Sequence, residues 1–133
     1  MDQNNSTGRK IERKVLLAVR AGHADPRLLA SARSLCQRME AELEILVRAT
    51  GDELPPEIAD FIRTLRDDGV AYSLMQKPVL RRRDIVEHAN THECITSVVI
   101  DSLEDWEVVA EDRASDPWAK LSCPLVTAAP PQK

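Results

Sequence analysis

The chain is 133 residues long, carries a formal net charge of −4, and is 43% apolar but only 3% aromatic. One domain of this length buries roughly two-thirds of its unfolded surface without disulfides or metal, around a core that must be aliphatic here. The acidic balance excludes a domain-wide basic footprint for nucleic acid, the few aromatics exclude a base-stacking platform, and no apolar run nears the roughly 18 residues of a membrane span.

Met1–Gly8 is polar and lacks the apolar stretch of a signal peptide, and Met1–Glu12 is expected to be a mostly disordered lead-in. A single domain is expected from 13 to 129. Lys14–Arg20 (KVLLAVR) is a continuous apolar run with the length of a strand buried on both faces. After a short loop containing Gly22, Asp25 and Pro26 form a helix start: a capping carboxylate, then proline at the first helical position. Leu28, Leu29, Ala32, Leu35, Cys36 and Met39 continue it as one apolar stripe, to about Ala41. Leu43–Ala49 reads as a second strand. Pro55 and Pro56 open a second helix with Ile58, Phe61, Ile62 and Leu65 inward, and Gly69 sits where a left-handed cap is expected.

Val70–Gln76 reads as a third strand, ended by Lys77 and Pro78. A third helix is expected from about Arg82 to Glu93, with Ile85, Val86 and Ala89 inward. Ile95–Asp101, rich in β-branched residues, reads as a fourth strand. Ser102–Ala114 is acidic but includes Trp106, Val108 and Val109, so a helical turn or short helix is expected. Asp116-Pro117-Trp118 resembles another helix start. Cys123–Ala128 is the expected fifth strand, an apolar edge that would otherwise be exposed, which points to a homodimer.

Strands alternating with helices require right-handed crossovers, hence an α/β fold with a parallel, doubly wound sheet and helices on both faces. Such sheets bind ligands at the carboxyl ends of their strands. The candidate positions are Arg20, Ala21 and Gly22 after the first strand, then Asp101 and Ser102 after the fourth. A phosphate site there needs glycines, so that backbone N–H groups approach the ligand closely. The four glycines, at 8, 22, 51 and 69, form neither GxGxxG nor GxxxxGK[ST].

KVLLAV at the first strand, a long first helix ending in AELEILV, DIVEHA before ITSVVID, and the closing SCPLVTA together resemble the universal stress proteins. The likeness covers about residues 13–129. It implies a five-stranded sheet in the order 3-2-1-4-5, of the adenine-nucleotide alpha-hydrolase-like type, and a homodimer commonly paired through the last strand. One branch of that family binds ATP through Gly-x2-Gly-x9-Gly-Ser after strand four and an Asp at the end of strand one. Here the signature falls on Asp101, Glu104, Ala114 and Ser115, and the strand-one position is Arg20. Carboxylates beside a triphosphate repel it, at roughly a kcal/mol or more per close pair. The chain thus resembles a branch lacking the ATP motif, and no cofactor is expected. The change of both family positions to opposite charges suggests an ion pair between Arg20 and Asp101 in place of the ligand, the alternative being that both side chains point to water.

Arg81, Arg82 and Arg83 form a basic cluster after the third strand, read chiefly as a solvated helix entry. As an alternative, an anion pocket would draw on Arg20, Arg81, Arg82, Arg83 and Ser115, making the chain a sensor for a nucleotide or other anion. Asp84, His88 and His92 share one helix face, with His at the i, i+4 spacing that zinc sites use, yet no fourth ligand is placed; a solvated face is expected and no metal. The carboxylates of 101–112 fit no calcium-loop spacing and read as another solvated face. Trp106 and Trp118 are expected to pack a fourth helix on the sheet or to lie in the dimer contact. Cys36 is expected in the core, Cys123 is expected buried, and Cys94, His92 and Glu93 are neighbours in sequence without forming a nucleophile–base pair. The three cysteines are read as reduced thiols in the cytoplasm. No catalytic residue is identified. The expected function is a cytoplasmic, non-enzymatic regulatory or interaction module working as a homodimer with a possible protein partner, without nucleic acid or membrane insertion.

Overall fold

The computed structural model describes residues 13–51, 53–92, 94–102, 106 and 116–127. The expected lead-in therefore lies outside the described residues, as does most of 102–114. Five strands, β1 (Lys14–Arg20), β2 (Glu42–Arg48), β3 (Tyr72–Lys77), β4 (Ile95–Ile100) and β5 (Leu125–Thr127), form one sheet in the order β3-β2-β1-β4-β5. Every neighbouring pair is parallel. Three helices link them: α1 (Pro26–Met39), α2 (Pro56–Asp67) and α3 (Arg82–Thr91). A 3-10 turn, Pro117–Lys120, leads into β5.

The sheet separates two aliphatic cores because side chains alternate across it. Val15, Leu17 and Val19 of β1 join Ile45 and Val47 of β2 beneath α1 and α2, whose Leu28, Ala32, Cys36, Ile58, Phe61 and Leu65 cover that face. Leu16 and Ala18 point the other way and meet Leu80, Ile85, Ala89, Val98, Ile100 and Trp106. Continuous burial across β1 is the sequence pattern expected of a strand covered on both sides.

The helix ends follow local chemistry. Asp25 caps α1, its carboxylate accepting from Arg27 N at 2.8 Å. α1 closes before Ala41, two residues earlier than the apolar stripe suggests: Glu40 takes the left-handed conformation (φ 54°), and Ala41 N donates back to Cys36 O. At α2, Gly69 (φ 74°) closes the helix as expected, with Gly69 N to Arg66 O and Val70 N to Leu65 O, a Schellman pair. That closure occupies Val70, so β3 begins at Tyr72 rather than at 70. β5 starts at Leu125, after Pro124, and its expected last residue, Ala128, lies outside the described set. Cys123 is half-buried rather than buried, while Cys36 is core; all three cysteines are free thiols.

A candidate site at the carboxyl ends of β1 and β4

The strand order reverses between β1 and β4, so the crevice beyond Arg20 and Ile100 is where a parallel sheet presents a ligand site. Arg20, Gly22, His23, Ala24, Asp25, Pro26, Asp101 and Ser102 line a cavity there of about 400 Å³.

The polar groups around it are already engaged by the chain itself. Arg20 Nη2 donates to Asp101 Oδ2 at 3.0 Å, and both side chains are largely shielded, at 13% and 19% exposed. The ion pair expected from the opposite charges is therefore present. Asp101 Oδ1 accepts from Ser102 N at 2.8 Å and from the indole Nε1 of Trp106 at 3.1 Å. The Arg20 guanidinium lies 5.4 Å from the Trp106 ring centroid, over its face. Trp106 is 2% exposed and belongs to the α3-side core. Gly22 (φ 83°) turns the chain after β1, and its N–H donates to Glu57 Oε2 at 3.1 Å. Three carboxylates, Asp25, Glu57 and Asp101, thus hold backbone N–H groups around the crevice.

Arg81 and Arg82, after β3, are also engaged by the chain. Arg81 N and Nε both donate to Asp84 Oδ2, at 2.9 and 3.0 Å, tying the first turn of α3 to the residue before it. Burial alone would raise the Asp84 carboxyl; the side-chain and backbone hydrogen bonds from Arg81, with the charges of Arg81 and Lys77, outweigh it and hold it below its ordinary 3.8. Arg82 Nε donates to Trp106 O at 2.8 Å, and its Nη1 to both oxygens of Asp116 at 3.1 Å. One guanidinium therefore ties both Trp106 and Asp116 to α3. Arg20, Arg81 and Arg83 each line a different cavity, while Arg20 and Arg82 both reach Trp106, one over its ring and one at its carbonyl. Ser115, Glu104 and Ala114 lie outside the described residues.

His88 departs from its expected solvated face. It points inward, with Nε2 donating to Glu44 Oε2 at 2.6 Å and both side chains nearly buried. Lys14 Nζ lies 3.6 Å from the other Glu44 oxygen. His92 stacks on His88 with centroids 4.2 Å apart, and its Nδ1 donates to His88 O. Sequence reasoning missed Glu44 altogether, although a carboxylate inside LEILVR signals a buried charge that needs a partner. Asp84 and His88 are thus committed to Arg81 and Glu44, and among the described residues no group of three or more His, Cys, Asp or Glu is arranged to hold a metal ion.

The fold and this strand-end crevice define an α/β protein with a five-stranded, all-parallel sheet. Within that class the architecture is that of the universal stress proteins. A universal stress protein family structure from Burkholderia pseudomallei superposes with a TM-score of 0.56 at 15% identity, covering 92% of this chain and 98% of that one. The universal stress protein from Archaeoglobus fulgidus gives 0.55 at 17%, covering 88% and 93%. No protein-family profile and no curated protein matches the sequence. Among the described residues no helix is long and apolar enough to cross a membrane.

Proposed function

We propose that this chain is a non-enzymatic, ATP-independent, universal-stress-like module that regulates or binds a protein partner in the cytoplasm, as a homodimer paired through its last strand. The observation that carries this is the Arg20–Asp101–Trp106 cluster. A polyphosphate brought to the β1/β4 crevice meets the Asp101 carboxylate, while the nearest cation, Arg20, is bound to that same carboxylate. The N–H of Gly22, a residue lining the crevice, is held by Glu57. Displacing these bonds costs the chain its own charge pairing and returns a ligand contact of the same kind, so the net gain for a nucleotide is small. The residues present do not fit a triphosphate. The apolar edge of β5, Leu125 and Val126 half-buried, supports pairing of last strands.

The cavity beside Arg20 favours a second reading, a sensor for a small anion seated against that guanidinium. Thermal-shift titration with ATP, AMP, cyclic nucleotides and inorganic phosphate separates the two. Ligand at a hundredfold excess over its dissociation constant stabilises by about 2.7 kcal/mol. The module reading predicts no shift with any of them. A saturable rise with phosphate-bearing ligands overturns it in favour of the sensor.

A further inference from the structure

We infer that the outer edge of β3 is a second interface between copies of this chain, pairing two β3 strands antiparallel about a two-fold axis at Leu74. This surface lies at the opposite edge of the sheet from β5 and is separate from the last-strand pairing proposed above.

β3 is an edge strand whose only partner among the described residues is β2. Ala71 O and Lys77 O accept from Leu43 N and Ala49 N. Backbone groups alternate sides along a strand, so the odd-numbered residues of β3 turn theirs toward β2. Tyr72, Leu74 and Gln76 therefore turn N–H and C=O outward. An antiparallel partner must place outward-turned residues opposite one another. Setting Leu74 opposite the partner's Leu74 puts Tyr72 opposite Gln76 on each side, and all three outward positions are satisfied. A shift of two residues in one direction places Tyr72 opposite Pro78, which has no N–H. The same shift in the other direction places Gln76 opposite Val70, whose N–H is already bonded to Leu65 O. One register uses every group.

The side chains suit that register. Leu74 and Met75 are 37% and 44% exposed, on opposite faces of the strand, and rank among the most exposed large apolar residues described. Leu74 meets its own copy, flanked by the Tyr72–Gln76 pairs, while Met75 meets Ser73 on the other face. Lys77, the one charge on β3, falls opposite Ala71, so no like charges face each other. Edge strands are usually guarded by proline, by bulges or by inward charges; 72–76 has none of these. The second copy is the occupant because the strand read in reverse is its own neutral complement, as a two-fold, isologous interface requires.

The test is sedimentation velocity of the full chain at micromolar concentrations, with Leu74→Lys, Val126→Lys and circular dichroism to confirm folding. Leu74→Lys sets two cations across the axis and is expected to remove the β3 association, leaving whatever last-strand association exists. Independently, Leu74→Cys sets two thiols on α-carbons about 5.5 Å apart, within disulfide range. Oxidised glutathione, itself reduced, is then expected to convert them to an intermolecular disulfide that the wild type does not form. Association unchanged by Leu74→Lys but lost in Val126→Lys removes the β3 interface and leaves the last-strand reading standing. Loss in Leu74→Lys alone supports the β3 interface and removes the last-strand one. A wild-type monomer across the whole range, with no cross-link, overturns both.

Discussion

Asp101→Ala removes the acceptor shared by Arg20 Nη2, Trp106 Nε1 and Ser102 N, at 3.0, 3.1 and 2.8 Å. Exposed ion pairs are worth about 0–1 kcal/mol, whereas removing one partner of a fully buried pair costs about 3–5. With 13% and 19% of the Arg20 and Asp101 side chains exposed, this pair sits between those limits, nearer the buried one. The indole N–H is also left without its acceptor, in a side chain only 2% exposed. The expected loss is about 2–3 kcal/mol, a fall of about 1 M or more in the urea midpoint. Arg20→Ala should cost less, because Asp101 keeps two donors. The double variant should fall short of the sum by about 1–2 kcal/mol, since the two residues share one bond. Equilibrium urea unfolding followed by tryptophan emission and by circular dichroism measures all three. A loss in Asp101→Ala below about 0.5 kcal/mol, the level of ordinary surface substitutions, would refute the idea that this cluster organises the strand ends. Strict additivity would refute the coupling.

Further outcomes follow from the other polar groups. Glu44→Ala leaves His88 Nε2 without its acceptor inside the α3-side layer and should lower stability by about 1–3 kcal/mol in urea, with His88→Ala largely non-additive to it. Asp84→Asn weakens the α3 cap by about 1 kcal/mol at neutral pH, measured by thermal unfolding. Because the folded carboxyl of Asp84 is held below 3.8, its stabilisation is present above the ordinary carboxylate range and fades as pH drops through the folded value. The gap between wild type and Asp84→Asn should therefore close below about pH 4; a gap that widens there contradicts the assignment. Burial pushes the Cys36 thiol up to about 12, so mass-mapped labelling with a thiol reagent at pH 8 should spare Cys36 until the chain unfolds. Native labelling at the unfolded rate would contradict its burial.

Much of the fold is legible in the chain because backbone-level signals are local. Asp25-Pro26 announces α1, Gly69 its counterpart at the end of α2, and the uninterrupted apolar run of Lys14–Arg20 marks a strand covered on both faces. The boundaries that shifted did so through hydrogen bonds between residues rather than propensities: Val70 is consumed by the α2 cap, and Glu40 adopts a conformation its side chain does not favour. The Arg20–Asp101 pair was readable as one of two outcomes, because the topology of the resembled fold sets those two strand ends side by side and the residues there carry opposite charges. The partners of the other polar groups were not. His88 and Glu44 are 44 positions apart, and nothing local states that α3 turns that histidine toward β2. Arg82 reads as a solvated entry charge until Trp106 and Asp116, 24 and 34 residues away, are brought to it. Side-chain pairing across layers is a property of the packed structure, and only the buried carboxylate within LEILVR hinted at it in advance.

The claim on which the account rests is that the polar groups of the β1/β4 crevice are taken up by the chain's own charges and indole. Native mass spectrometry of the protein purified without added nucleotide, before and after addition of Mg-ATP, tests it directly. The account predicts the mass of the polypeptide alone, or its integer multiples, in both samples. An increment of one ATP per chain, retained through desalting, would contradict it.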